Sequence, residues 1–203
     1  MLKEYFPLIN DSRLDCFCNI ETLFEKLMMP YPSFEETMFC ENCKCMSNKK
    51  FSVLPLMRAE IVWNDCENFE SILNNYFLEK NLMCITCKNV NPSEFTMGSY
   101  LYISTEYAYI NSLYARKCQF DAASFKTKLS VIPHEINIMG SLFVLSGVVE
   151  SRPAHFIALC RNINGTWQKR DDCQKYRHSL DSDYMARLSA LLYVKCELNV
   201  QNV

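Results

Sequence analysis

The sequence predicts an α+β fold, with helices early and antiparallel strands late in a chain of 203 residues. Three observations carry this. Two stretches before residue 82 place apolar residues three and four apart, the period of an amphipathic helix. Beyond residue 140, short runs rich in β-branched and aromatic residues alternate with turn residues. Among them, Asn164-Gly165 is a strong hairpin signal, because both residues tolerate positive φ.

Residues 20 to 29, "IETLFEKLMM", align Ile20, Leu23, Phe24, Leu27 and Met28 on one helical face, and Pro30 and Pro32 stop the helix. Residues 51 to 63, "FSVLPLMRAEIVW", read as strand material interrupted at Pro55. The next segment, "NDCENFESILNNYFLEKN", puts Cys66, Phe69, Ile72, Leu73, Tyr76 and Phe77 on one stripe. Asn64 is placed to cap that helix, with Glu67 three residues later as its box partner. Residues 107 to 128 are mixed in polarity and read as a surface insertion. The strands expected in the last third are 141 to 150, 154 to 162, 166 to 172 and 190 to 198.

Composition narrows the function classes. The residues are 49 % hydrophobic and 22 % charged, enough for one good core with an appendage. A net charge of −2 offers no electrostatic attraction to nucleic acid or to an anionic membrane. No apolar run approaches the length that spans a bilayer. Twelve cysteines would suit a disulfide scaffold in a secreted chain. The opening residues, "MLKEYFPLINDSRLDCF", show no basic stretch followed by an apolar one, so the expectation is a reducing compartment, cytoplasm or nucleus. Reduced or metal-bound thiols follow.

The cysteines are not evenly spread. "MFCENCKC" supplies Cys40 and Cys43, and "LMCITCKN" supplies Cys84 and Cys87. A Cys-x-x-Cys knuckle aims two thiolates at one point, and two knuckles complete a tetrahedral zinc site. The 40 residues from 44 to 83 exceed the usual ribbon gap of about 15 to 20. They accommodate a strand and a helix that return the second knuckle to the first. Cys45 is an alternative to Cys43, at a less usual spacing from Cys40. A closed four-thiolate site has no open coordination position, so the zinc would be structural.

"AHFIALCRNINGTWQKRDD", residues 154 to 172, places a histidine on one strand and two carboxylates at the end of the next. A two-residue Asn164-Gly165 loop would set His155 opposite residue 174, and a four-residue loop would set it opposite Asp172. Either register brings an acid near the imidazole without choosing between Asp171 and Asp172. A carboxylate on one ring nitrogen fixes the tautomer and leaves the other nitrogen to take a proton from a thiol. The plain alternative is a hydrogen-bonded structural histidine. His134 and His178 read as surface or loop residues.

Together these segments resemble the catalytic domain of the ubiquitin-specific proteases, and within that superfamily the SUMO isopeptidases of ubiquitin-specific-peptidase type. "FCENC" and "MCITC" resemble the family's fingers knuckles, and "CENFESILNNYFLEKNLMC" the helix leading into the second. "FKTKLSVIPHEINIMGSLFVLSGVVES" is similar to the strand pair before the histidine box, and "SALLYVKC" to the closing strand. The resemblance covers residues 20 to 196 in the right order. It implies a papain-like cysteine-protease fold with fingers over about 20 to 100 and a palm sheet over about 101 to 198. It also implies His155 as general base, Asp171 as the orienting acid, and ubiquitin or a SUMO-like modifier as partner. Ala154 departs from the glycine usual in the family.

The family's nucleophile precedes the fingers by a long helical thumb. Here Cys16 and Cys18, in "LDCFCNIETLF", lie only 22 to 24 residues ahead of Cys40, too few for a thumb. The resemblance therefore implies the acid–base half of a thiol-protease site without its thiolate. Three functions compete on the sequence: a silent modifier-binding module, an active isopeptidase using Cys16, Cys18 or a thumb from another chain, and a zinc-ribbon nucleic-acid binder. The last lacks a basic patch interleaved with aromatics beyond the short "CKCMSNKK".

Overall fold

The computed structural model describes residues 8–10, 13–14, 20–55, 66, 68–78, 81–105, 126–152, 155–174 and 177–196. The expectations for Cys16, Cys18, Asn64, Glu67, Ala154 and most of 107 to 128 lie outside those residues. In chain order the elements are β1 (Leu8–Asn10), β2 (Arg13–Leu14), α1 (Ile20–Met28), β3 (Phe34–Phe39), β4 (Met46–Phe51), β5 (Leu54–Pro55) and α2 (Phe69–Leu78). There follow β6 (Asn81–Met83), β7 (Val90–Met97), β8 (Tyr100–Ser104), β9 (Thr127–Lys128), β10 (Glu135–Ile138) and β11 (Ser141–Arg152). The last are β12 (His155–Arg161), β13 (Trp167–Arg170), β14 (His178–Leu180), β15 (Met185–Ala186) and β16 (Leu188–Lys195). The structure is mostly antiparallel sheet with few helices.

Two sheets carry the cysteine knuckles and the His155 edge. The larger runs β14-β13-β12-β11-β16-β8-β5, with β10 paired to β11. Its pairs are antiparallel except for β5 with β8. The smaller is a ribbon of order β4-β3-β7-β6. The spans expected at 141 to 150 and 190 to 198 appear as β11 and β16, the first extended through Arg152 and the second starting at Leu188.

The main core lies on one face of the larger sheet. Leu145, Val148, Ile157, Leu159 and Leu191 share one buried cluster with Phe69, Leu73 and Phe77 of α2, which are buried as the helical spacing predicts. Apolar area removed from water on this scale is the principal stabilisation of the fold. Helix α1 covers part of the opposite face. Phe24 stacks on Tyr102 with ring centroids 3.8 Å apart, and Met28 packs beside it. Leu27, expected on the same stripe, is exposed, because the contact takes only the Phe24 and Met28 side of the helix.

The two sheets join through aromatic packing. Phe34 of β3 stacks on Phe51 at 4.8 Å and meets Phe77 of α2 edge-on at 5.2 Å, which carries the ribbon's base into the main core. Between β7 and β8 the chain turns at Gly98, whose N–H donates to the Ser33 carbonyl at 2.7 Å. A Cβ there would lie 2.1 Å from the Pro32 carbonyl oxygen, so the crossing requires glycine.

The β12–β13 register differs from both expected alternatives. Asn162 donates to the Thr166 carbonyl at 2.8 Å, and Gly165 donates to the Asn162 carbonyl at 2.9 Å. The loop is therefore three residues, 163 to 165, with Gly165 at φ +84. Ala158 pairs with Arg170 and Leu159 with Lys169. Carried to the end of β12, this register sets His155 level with Cys173 rather than with residue 172 or 174, and Asp171 level with Ile157. The side-chain amide of Asn162, bonded to Thr166 Oγ1 at 2.8 Å, belongs to this wider loop.

Candidate functional site

At one end of the ribbon, the two knuckles have the same backbone. In the first, Lys44 N–H donates to Cys40 O at 2.8 Å and Cys40 N–H to Cys45 O at 2.9 Å. In the second, Lys88 N–H donates to Cys84 O at 2.9 Å and Cys84 N–H to Asn89 O at 2.8 Å. Lys44 and Lys88 both take positive φ, 57° and 62°, which turns each loop so that its sulfurs converge. The 40-residue separation is bridged as expected, by β4, β5 and α2 before β6 brings the second knuckle back.

The sulfurs meet. Cys40 Sγ lies 3.3 Å from Cys87 Sγ, and Cys43 Sγ lies 3.5 Å from Cys84 Sγ. Cys45 joins them, 3.2 Å from Cys43 Sγ and 3.3 Å from Cys84 Sγ. The four sulfurs within 4.8 Å of one another are those of Cys40, Cys43, Cys45 and Cys84, so Cys45 belongs to the cluster beside the four cysteines expected from spacing. With Zn–S bonds of about 2.3 Å, sulfurs around a tetrahedral zinc stand about 3.8 Å apart. An outward shift of a few tenths of an ångström admits the ion, so the donor set is compatible with zinc. Backbone N–H donation at Cys87 draws the Cys84 thiol down to about 5, while the hydrogen bond to Cys45 pushes the Cys43 thiol up to about 11.

At one edge of the larger sheet, His155 Nε2 lies 2.9 Å from Asp171 Oδ1 and 3.4 Å from Asp172 Oδ1. The register decides between the two acids: Asp171 shares the face of Ile157 and His155, and its side chain is buried, whereas Asp172 is exposed. Asp171 is held by its own turn, accepting from Cys173 N–H at 3.1 Å while Gln174 N–H donates to the Asp171 carbonyl at 3.0 Å. Lys169 Nζ stands 3.4 Å from the other carboxylate oxygen. The His155 hydrogen bond, then those from Cys173 and Lys169, hold the Asp171 carboxyl below its ordinary 3.8. Asp171 occupies Nε2, so Nδ1 is the ring nitrogen that Asp171 does not engage.

Sequence reasoning missed the third part of this edge. Arg152 is the cross-strand partner of His155. Its Nη2 donates to the Tyr184 hydroxyl at 3.0 Å and lies 3.3 Å from Oε2 of the buried Glu150. Tyr184 OH in turn donates to Glu150 Oε2 at 3.0 Å. Arg152 ends the β11–β12 register, in which Glu150 pairs with Ile157 and Ser151 with Phe156.

No thiolate serves the histidine among the described residues. Cys160 is an odd number of positions along β12 and pairs with Gly147 and Gln168, on the opposite face. Cys173 Sγ lies within 4.8 Å of the imidazole and both carboxylates, but the charge of Asp172 beside it, then burial and Asp171, push its thiol up. Such a thiol stays protonated and a poor nucleophile. His134 is exposed as expected, 3.6 Å from Glu135, and His178 is exposed but on edge strand β14 rather than in a loop.

No protein-family profile matches the chain. It is 23 % identical over 213 aligned residues to the 120.7 kDa protein in NOF-FB transposable element of Drosophila melanogaster, covering 96 % of this chain and 19 % of that protein. The chain thus spans about a fifth of the curated relative's length. Among solved structures it is similar to the Ubp8-Sgf11-Sgf73-Sus1 SAGA DUB module, 15 % identical, covering 81 % of this chain and 39 % of that one, with a TM-score of 0.46. The same module bound to ubiquitin aldehyde gives 15 % identity, coverages of 95 % and 45 %, and a TM-score of 0.42. An essential yeast splicing factor gives 13 % identity, coverages of 85 % and 44 %, and a TM-score of 0.46.

Proposed function

We propose that this chain is a binding module of ubiquitin-specific-protease type that holds ubiquitin or a SUMO-like modifier and does not cleave it. The observation that carries this reading is the His155–Asp171 contact at 2.9 Å on neighbouring strands, in a chain that also has twin cysteine knuckles on a separate ribbon. In this reading residues 20 to 100 form the fingers and 101 to 198 the palm of a papain-like protease fold. A structural zinc on Cys40, Cys43, Cys84 and Cys87 holds the fingers. His155 is the general base and Asp171 its orienting acid, kept without a partner thiolate.

The chemistry supports silence. A thiol protease needs a thiolate, a base and an oxyanion donor, and His155 with Asp171 supplies the base alone. Losing the nucleophile from a site that acts as a unit costs on the order of 10⁶ in rate in the best-studied serine case. The reading places the protein in cytoplasm or nucleus, where its thiols stay reduced. No helix among the described residues is long and apolar enough to cross a membrane.

The test is titration of the isolated chain with ubiquitin and with SUMO by calorimetry, alongside fluorogenic substrates of each. Binding without cleavage is the expected result. Cleavage abolished by Cys16→Ala or Cys18→Ala would establish the active alternative instead, and no binding to either modifier would end the proposal. A second reading, a zinc-ribbon nucleic-acid binder, draws on the paired cysteine knuckles whose sulfurs converge. Salt-dependent binding to a duplex or single-stranded oligonucleotide, with none to ubiquitin or SUMO, would favour it.

A further inference from the structure

We propose that Cys45 is a working member of the metal centre: Cys40 and Cys84 are fixed ligands, and Cys43, Cys45 and Cys87 share the two remaining positions. The inference rests on the reading that the cluster binds zinc, and goes beyond it in naming five thiols for four sites.

The first observation is the equivalence of the knuckles. Cys45 stands where Asn89 stands in the second knuckle, and both residues give the same backbone carbonyl to the first cysteine of their loop. The backbone role needs no particular side chain. Cysteine at this position adds a sulfur with no change in the loop, and that sulfur is directed into the cluster rather than away from it.

Distance puts it within reach of the same centre. Cys45 Sγ is as close to Cys84 Sγ, at 3.3 Å, as Cys87 Sγ is to Cys40 Sγ. The mutually close group of four includes Cys45 and omits Cys87. Knuckle spacing favours Cys87, and proximity favours Cys45. The two criteria select different fourth ligands from one cluster.

Burial separates the fixed ligands from the shared ones. Cys40 and Cys84, each first in its knuckle, are 0 % exposed and packed with Met38. Cys43, Cys45 and Cys87 are half-buried on the outer side, where a sulfur can swing without opening the core. Zinc takes four thiolates in a closed tetrahedron, so one of the three is always left over as a thiol. With a metal bound, Cys45 would take the position of Cys87 as Cys87 left it, and the proton of the Cys45 thiol would pass to Cys87. Charge and atoms balance, and no oxidant is needed.

The experiment uses the full chain loaded with zinc, and with cobalt as a spectroscopic substitute. Wild type, C43S, C45S and C87S should each hold one metal with a four-sulfur visible spectrum. C40S and C84S should lose it, as should the double variants C43S/C45S and C45S/C87S. On the zinc-loaded wild type, limited iodoacetamide labelling mapped by mass should modify one cluster thiol per chain, spread over Cys43, Cys45 and Cys87. Loss of the four-sulfur spectrum in C87S, or labelling confined to Cys45, overturns the inference and leaves the zinc reading intact. A wild-type chain that takes up no metal overturns both.

Discussion

The ribbon knuckles and the His155 edge both bring distant side chains into contact, but they do so in opposite ways. The ribbon repeats one local device twice: Cys-x-x-Cys-Lys, with the lysine at positive φ and the same two hydrogen bonds. Its sulfurs face one another and surround a closed centre. The edge uses no repeated device: Arg152 ends β11, His155 begins β12, Asp171 follows β13 and Tyr184 precedes β15. The ring nitrogen opposite Asp171 has no thiolate to serve among the described residues. A closed site made of twin local motifs carries its purpose within itself. The other stays open at the sheet edge, with one ring nitrogen of His155 not engaged by Asp171.

The largest test of this contrast is to break the ribbon alone. If the cluster holds zinc as proposed, Cys84→Ser should remove the metal and the ribbon's amide-exchange protection while β11, β12 and β16 stay protected. Binding free energy in such sites is on the order of 10 kcal/mol at neutral pH and is also folding free energy. Exchange mass spectrometry reads both regions at once, and simultaneous loss in the large sheet would show that the two are not separable.

Phe34→Ala attacks the junction. The ring is fully buried between Phe51 and Phe77, and its loss should cost about 3 to 5 kcal/mol in denaturant unfolding. Both regions should weaken together. Gly98→Ala is expected to cost less, about 1 to 3 kcal/mol, because its Cβ would press on the Pro32 carbonyl and push β7 from its crossing. Urea melts check the order.

The smallest effect belongs to the edge and depends on pH. The Asp171 carboxyl is depressed in the folded chain by His155, Cys173 and Lys169, so its contribution to stability is full above its unfolded value. That contribution is lost as pH falls below about 3.8 through the folded value. Asp171→Asn should therefore flatten the acid limb of the stability profile and leave the metal content unchanged. An unaltered acid limb would remove the electrostatic role assigned to the pair.

Helix periodicity was legible at Phe69, Leu73 and Phe77, since three- and four-residue spacing is a direct geometric consequence of the helix. It overreached at Leu27, because a stripe shows which residues face one way but not how wide the receiving surface is. The hairpin was legible in Asn164-Gly165, while its register was not. A three-residue loop falls between the two lengths expected, and a one-residue change alters which residues stand opposite one another.

By itself, the sequence determined the two Cys-x-x-Cys knuckles, the α+β order of elements and the nearness of His155 to a carboxylate pair. Each depends on contacts between residues close in sequence or joined by one turn. Only the tertiary structure decided that Asp171 is the buried partner, that Arg152 and Glu150 share its edge, and that Cys45 enters the sulfur cluster. Those depend on strand register, on burial and on two hairpins meeting across 40 residues, quantities that no local pattern encodes.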